Sequence, residues 1–483
     1  MKQLSTIIDA LKREYLVVDA PADSLVLTGI TDDTRQLEPG NLYVAVRGTQ
    51  SDGHRFVSEA VARGAAAVMV ETPQGAGIPE IVVTDGRRAA SAAARAWFDR
   101  PADRLTLVAV TGTNGKTTTT ALAKHLLNAA VDAGSIGTLG AFDGQGESVP
   151  STAGSLTTPG PVDLQATLAS MTNRGVRRVV MEASSHSLDQ GRLDDLTFAA
   201  AVFTNLTQDH LDYHRTMEQY LAAKLHLSGL LGTAGHAVVN LDDPAWTRMP
   251  ARSGRRITFG TSPAADVRAA DLQQDNAGSV FQLVTPWGEA TIRLPLLGDY
   301  NIANALGAAA AALVLERPFS EVVERLHTSP QVPGRMELLT ESPCVVLRDY
   351  AHTPDALERA LMALRPLTPG RLIVVFGCGG DRDRSKRPLM GRIATELADL
   401  PVVTSDNPRT EDPDGIIDEI ERGMGGKTHR RIVDRREAIL AAIAEGRAGD
   451  TILLAGKGHE TYQVVGKEKL PFDEREIVLQ ALR

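Results

Sequence analysis

Lys116 and Thr117 stand directly behind a turn of small residues, Thr111, Gly112, Thr113, Asn114 and Gly115. Backbone N–H groups at the start of a helix, a lysine ammonium and a threonine hydroxyl together suit a nucleoside triphosphate. The amides and the ammonium meet phosphate oxygens, and the hydroxyl is a ligand for Mg²⁺. Glycines let the backbone come close to the anion. Glu182 and His210 add a carboxylate and an imidazole, both ligands for Mg²⁺, which prefers oxygen. A glutamate at a strand end also reads as a cap or an ion-pair partner. Further on, Arg382 and Arg409 accompany Asp406 and Glu460. A guanidinium fork binds a carboxylate through two parallel hydrogen bonds, while carboxylates take an ammonium. A pocket holding both suits an amino acid with a zwitterionic far end. The alternative is two arginines tied up in structural salt bridges.

These residues need elements to hold them. Residues 105–110 form an apolar, β-branched run of strand length. After the glycine turn a helical pattern follows, with Leu122, Leu126 and Ala129 on one face. The spacing of the turn is short: only Thr113 and Asn114 separate Gly112 from Gly115-Lys116, where the general nucleotide loop has four residues. Downstream, strands are predicted at 178–182, 199–206 and 237–241, with a helix over 217–230. Alternation of this kind predicts a parallel sheet with helices on both faces, whose ligands lie beyond the strand C-terminal ends. Glu182 and the segment carrying His210 are both expected at such ends. Residues 256–296 read as a β-rich insertion, and 301–315 as an Ala-rich helix.

Before this region, strands at 41–46, 66–70 and 81–83 and helices at 53–63 and 87–98 predict a small αβ domain. After Val332 and Pro333, strands at 345–349, 372–376, 401–404 and 452–455 alternate with helices. The expected organisation is therefore α/β in three domains: 1–102, 103–332 and 333–483. The central one has a doubly wound parallel sheet of the phosphate-loop type, and the last is Rossmann-like. Length agrees, at 483 residues against about 150 per domain.

The composition is that of a globular chain, 43 % hydrophobic and 23 % charged. A net charge of −9 argues against nucleic acid and anionic membranes as partners. The two cysteines, Cys344 and Cys378, show no Cys-x-x-Cys spacing and are read as reduced core thiols. The N-terminal residues lack the apolar run of a signal peptide, and no apolar stretch reaches the ~18 residues of a membrane span. The expectation is a cytoplasmic enzyme acting as a monomer.

The turn Thr111 to Thr118, the string Glu182-Ala183-Ser184-Ser185-His186, and Asn205-Leu206 with Asp209-His210-Leu211-Asp212-Tyr213-His214 resemble the Mur ligase family, the ATP-dependent amide ligases of cell-wall precursor synthesis. The likeness runs along nearly the whole chain. It implies that Gly112, Thr113, Asn114, Gly115, Lys116, Thr117 and Thr118 bind ATP, helped by Asn301, Arg335, Asp349 and His352. It implies a UDP-muramoyl-dipeptide site at Asp32, Thr34, Thr49, Gln50, Ser51, Thr157, Thr158, Ser184, Gln190 and Arg192. Thr117, Glu182, His210 and Lys224 would hold Mg²⁺, as two ions, with Lys224 converted by CO₂ to a carbamate. Without the likeness, Lys224 reads as a solvated surface lysine. Lys116, Lys224, His210 and Asp209 would be the catalytic residues. The run Asp406-Asn407-Pro408-Arg409, with Arg382, Gly456 and Glu460, resembles the signature of members that take meso-diaminopimelate.

The activity implied is transfer of that amino acid to UDP-N-acetylmuramoyl-L-alanyl-D-glutamate through an acyl phosphate. Three rivals are kept: the same chemistry with L-lysine or L-ornithine, a ligase resembling folylpolyglutamate synthetase, and a nucleotide-dependent binding protein without ligase activity.

Overall fold

The computed structural model describes residues 1–22, 24–48, 51–152, 156–250, 255–275 and 277–482. Thr49 and Gln50, both expected at the UDP site, lie outside the described residues. Three main sheets organise the chain. The first runs Val17–Asp19, Glu80–Val83, Ala67–Val70, Asn41–Val44, Gly29–Thr31, parallel except at the Val17–Asp19 edge. The helices Leu4–Arg13 and Gly86–Trp97 bury Leu4, Ile7, Leu11 and a stripe of alanines against it. The helical run expected at 53–63 is a 3₁₀ turn, Gly53–Phe56, followed by the helix Val57–Ala62.

The central sheet has ten strands. Their order is Gly140–Phe142, Ala133–Gly137, Arg178–Glu182, Thr106–Thr111, Phe198–Phe203, Leu231–Asn240, Arg255–Gly260, Val267–Asp275, Gly278–Thr285, Gly288–Leu294. Pairing is parallel in the middle and antiparallel at both edges. The region expected to be a β-rich insertion is thus a continuation of the main sheet. Its strands read as separate in sequence because a hairpin's period-2 pattern carries no mark of the sheet it joins.

Thr106–Thr111 is the pivot of this sheet. From it the chain first adds strands on one side, then from Phe198 onward on the other. A reversal of that kind leaves a crevice at the strand C-terminal ends, where ligands of doubly wound sheets bind. Register places Glu182 beside Val110, and Phe203 beside Thr111. The helix Lys116–Leu127 starts in the crevice and packs on the Ala-rich helix Asp299–Val314. It ends earlier than expected: Leu122 and Leu126 are buried, but Ala129 is exposed in a 3₁₀ turn.

The third sheet runs Glu337–Thr340, Val345–Asp349, Thr451–Ala455, Leu372–Phe376, Leu400–Val403, Arg430–Arg431, parallel except at its first pair. A separate hairpin, Tyr462–Val465 with Glu468–Pro471, stands beside it. Its central strands are apolar and buried on both faces, as the helices on either side require.

Candidate functional site

The loop after Thr111 is built by close approach. At Gly112 an added Cβ would lie 1.8 Å from the Thr204 hydroxyl; at Gly115, where φ is +82°, it would lie 2.2 Å from Asn304 Oδ1. Asn205 ties the loop from outside: its carbonyl accepts from Thr113 N–H and its Oδ1 from Asn114 N–H, both at 2.8 Å. Lys116 Nζ donates to the carbonyls of Gly112 (3.0 Å) and Thr113 (2.8 Å). Lys224, which the fold buries rather than leaving on the surface, donates to the same Gly112 carbonyl at 2.6 Å. Burial lowers the pKa of both amines, Lys224 well below the usual lysine range, and the neighbouring Lys116 charge pushes Lys224 further down. The Tyr220 ring lies 4.4 Å beneath Lys224 Nζ, and its hydroxyl meets Thr113 Oγ1 at 3.2 Å.

The proposed metal ligands gather around the loop. The Thr117 hydroxyl donates to Glu182 Oε2 at 3.2 Å, and the buried Glu182 also accepts from Thr138 N–H and Oγ1. Two hard oxygen donors beside a phosphate loop fit Mg²⁺. Among the described residues, no group of three His, Cys, Asp or Glu side chains is arranged around one point. The sequence expectation placed His210 at the close of a strand; instead that strand, Phe198–Phe203, ends seven residues earlier. His210 sits at φ +53° before the short helix Leu211–His214. Its ring meets His186 edge-on at 4.8 Å, and burial pushes its pKa down to about 4, so it is neutral. Burial works to raise the Asp209 pKa, but His210 and His352 hold it below the usual carboxylate range.

Thr157, Thr158, Ser184, Gln190 and Arg192 do come together. Thr158 Oγ1 donates to the Glu182 carbonyl, and Arg192 donates to the Thr158 carbonyl (2.8 Å) and to Gln190 Oε1 (2.6 Å). Thr158 and Ser184 hydroxyls lie 3.4 Å apart, and Thr157 accepts from Thr138 at 3.3 Å. From the first domain, Asp32 faces this patch. Burial raises its carboxyl to about 6, Asp163 adds to the rise and Arg192 opposes it. Thr34 is buried nearby in the turn Thr34–Gln36, while Ser51 is exposed. Beside the patch a cleft of about 790 Å³ opens between the first and second domains, lined by Arg87, Arg88, Gln190, Tyr213, Arg215 and His226 among others.

The third group converges at the C-terminal end of the last sheet. Arg409, itself at φ +51°, donates to the Gly380 carbonyl at 2.8 Å. Burial lowers its pKa, and nearby Arg382 lowers it further. Neither arginine forms an ion pair among the described residues, so the salt-bridge alternative does not hold. Asp406 is 8 % exposed; its Oδ2 accepts no hydrogen bond, lies against Gly456 and stands 3.9 Å from the buried Arg435 guanidinium. Glu460 Oε2 accepts from Asn407 Nδ2 (2.9 Å) and Lys457 Nζ (3.0 Å). Asn407 Oδ1 accepts from Lys457 and from Val464 N–H, so this side chain braces the pocket from within.

Comparison with known proteins follows the same three parts. Residues 26–98 match the family description "Mur ligase family, catalytic domain", 110–312 "Mur ligase middle domain", and 334–458 "Mur ligase, glutamate ligase domain". A UDP-N-acetylmuramoyl-L-alanyl-D-glutamate–2,6-diaminopimelate ligase from Gloeobacter violaceus is 46 % identical over 463 residues, covering 94 % of each chain. The chain belongs to the Mur ligase family. A relative of the same name from Synechococcus elongatus is 45 % identical over 494 residues, covering 99 % of this chain and 97 % of its own. A solved structure of that name superposes with a TM-score of 0.69 at 35 % identity, covering 98 % of both chains.

Several residues of this Mur ligase escaped the sequence reading. Asp355, three residues past the expected His352, accepts from Asn114 Nδ2 at 3.0 Å and Thr207 Oγ1 at 3.4 Å. Asn304, rather than the expected Asn301, touches the loop. Asn301 is buried, donating to the Leu297 carbonyl and accepting from Asn304. Helical spacing was the available signal: 301 and 304 share a face, and the residue one turn on is nearer Gly115. Arg335 stacks 4.7 Å over Tyr350 and donates to Thr117 Oγ1 at 3.0 Å, bringing the third domain onto the loop. Asp349 and His352 stand just behind: Asp349 accepts from Met336 N–H, and burial raises its pKa while lowering that of His352.

Proposed function

We propose that this Mur ligase is an ATP-dependent, ADP-forming ligase that joins meso-diaminopimelate to UDP-N-acetylmuramoyl-L-alanyl-D-glutamate in peptidoglycan precursor synthesis, in the cytoplasm. The names of its relatives support the reaction. The observation that carries the amino-acid choice is the guanidinium couple Arg382 and Arg409, free of ion pairs among the described residues, near an Asp406 oxygen that accepts no hydrogen bond. That arrangement has a seat for a carboxylate and another for an ammonium at the far end of the incoming amino acid. Lysine and ornithine lack the second carboxylate.

ATP lies along the loop from Gly112 to Thr118. Lys116 turns from the carbonyls of Gly112 and Thr113 to the phosphates, where its charge offsets that of the transferring group. Thr117, Glu182 and His210, with Lys224 as its carbamate, would hold Mg²⁺, which would supply Lewis-acid neutralisation of phosphate oxygens. The D-glutamyl carboxylate, positioned from the Thr157–Arg192 patch, attacks the γ-phosphorus, releasing ADP and leaving an acyl phosphate. The free amine of diaminopimelate then attacks the acyl carbon and phosphate leaves. With His210 assigned to the metal, Asp209 stands at the loop as the group to take the amine's proton. Lys224 is suited to carbamate formation: a buried amine with a depressed pKa is the neutral nucleophile that adds CO₂, exchanging a cation for an oxygen ligand. A ¹³C resonance from labelled CO₂, absent in Lys224→Arg, is expected. All three pockets lie in one chain, which supports a monomeric enzyme.

The test is phosphate release from ATP with UDP-muramoyl-dipeptide, comparing meso-diaminopimelate, L-lysine and L-ornithine and weighing each product. Preference for diaminopimelate, lost in Arg409→Ala, is expected. Preference for lysine would keep the ligase and reject the carboxylate seat.

A further inference from the structure

The amino-acid pocket has a fully buried cation that no ligand contact explains. Lys457 is 0 % exposed, on the loop after Thr451–Ala455. Its ammonium bridges Asn407 Oδ1 and Glu460 Oε2, each at 3.0 Å, with the Tyr462 and Phe472 rings 5.9 Å away. Through these two partners it is tied to the hairpin Tyr462–Val465 and to the segment that carries Arg409. Asn407 holds Val464 of the hairpin, and the hairpin in turn holds Arg409: Arg409 N–H donates to the Val464 carbonyl, and Gly466 N–H to the Arg409 carbonyl. Glu460 Oε2 is occupied twice, by Asn407 and by Lys457.

We propose that Lys457 is a specificity-determining positioning residue, setting both the shape and the charge of the amino-acid pocket so that a dicarboxylate is accepted. This rests on the reading of the pocket given above. In the interior, Arg409 and Lys457 offset Asp406 and Glu460. At the rim, Arg382 and Asp381 act on Arg409 with opposite sign, and beneath the floor Arg435 stands between Glu474, at 2.8 Å, and Asp406, at 3.9 Å. The nearby His459 is held neutral, its pKa pushed by burial down to about 4. The pocket is therefore neutral. Diaminopimelate with its reacting amine free carries one net negative charge; lysine in the same state carries none. Removing the Lys457 charge leaves the pocket negative, which opposes diaminopimelate and is indifferent to lysine.

The experiment uses the full-length enzyme and three variants. Lys457→Gln keeps a donor near Asn407 and Glu460 without the charge, Lys457→Met removes both, and Lys457→Arg keeps the charge. KM and kcat are measured for diaminopimelate and L-lysine with ATP and UDP-muramoyl-dipeptide saturating, alongside the ATP KM and the melting temperature. In Lys457→Gln the KM for diaminopimelate should rise about tenfold. The kcat, the ATP KM and the lysine KM should change little, and Lys457→Arg should restore part of the preference. Equal loss with both amino acids in a folded Lys457→Gln would reduce the residue to a structural tie and overturn the proposal. So would an unchanged preference for diaminopimelate. A wild-type enzyme preferring lysine would overturn the functional reading itself, and this inference with it; the wild-type assay separates the two failures.

Discussion

Two ammonium groups meet one carbonyl oxygen in this protein, that of Gly112, with Lys116 at 3.0 Å and Lys224 at 2.6 Å. Burial removes the water that would screen them, so the more enclosed amine yields its proton. On the proposed reading the two lysines divide the work, Lys116 as the cation for phosphate and Lys224 as the nucleophile for CO₂. Lys116→Ala is expected to lower kcat by about 10²–10³, the usual effect of removing one preorganised charge or donor at a transition state. Steady-state phosphate release checks it. Asp32 gives a pH prediction on the free protein. Its carboxyl rises from an ordinary 3.8 to about 6 in the fold. Between those values the folded state holds a proton that the unfolded chain has released, so this group's contribution to stability falls as pH rises and is fully unfavourable above about 6. Asp32→Asn should accordingly gain melting temperature relative to the wild type between pH 4 and pH 7. A difference independent of pH would reject the burial of this carboxyl.

The helix Lys116–Leu127 can deliver its N-terminus to a ligand only because its first turn is packed from three sides. Thr204 and Asn205 press on Gly112 and Asn114 from the next strand end, and Asn304 presses on Gly115 from the helix Asp299–Val314. Glycine at 115 answers both a left-handed backbone and a gap closed by Asn304 Oδ1. Gly115→Ala should cost about 1–2 kcal/mol from the backbone conformation alone. It should also raise the ATP KM as Asn304 is pushed aside; thermal melts and nucleotide titration read the two effects. The phosphate loop was legible because glycine, lysine and threonine are bound to their roles by conformation and chemistry. The hairpin strands from Val267 to Leu294 were misread as an insertion because alternation reports a half-buried strand and says nothing of its neighbour.

At the scale of the molecule, the third domain already touches the loop through two side chains: Arg335 to Thr117, and Asp355 to Asn114 and Thr207. These contacts seat the third domain against the loop, where on the proposed reading it excludes water from an acyl phosphate. The double variant Arg335→Ala with Asp355→Ala should open the interface. A larger radius of gyration by small-angle scattering and a raised ATP KM are expected, and an unchanged radius would place the hinge control elsewhere. The sequence by itself determined the α/β class, the order of the strands along the chain, and the residue types of the loop and of the diaminopimelate-type run at Asp406. Those follow from local periodicity, from glycine's conformational range and from the chemistry of single side chains. Only the tertiary structure decided that Lys224 is buried rather than solvated, that Asn304 and Asp355 close on the loop, that Asn407 faces inward, and that Lys457 sits between Asn407 and Glu460. Each of these depends on which distant segment comes to lie opposite. Burial, and with it charge state, is a property of that meeting and of no residue alone.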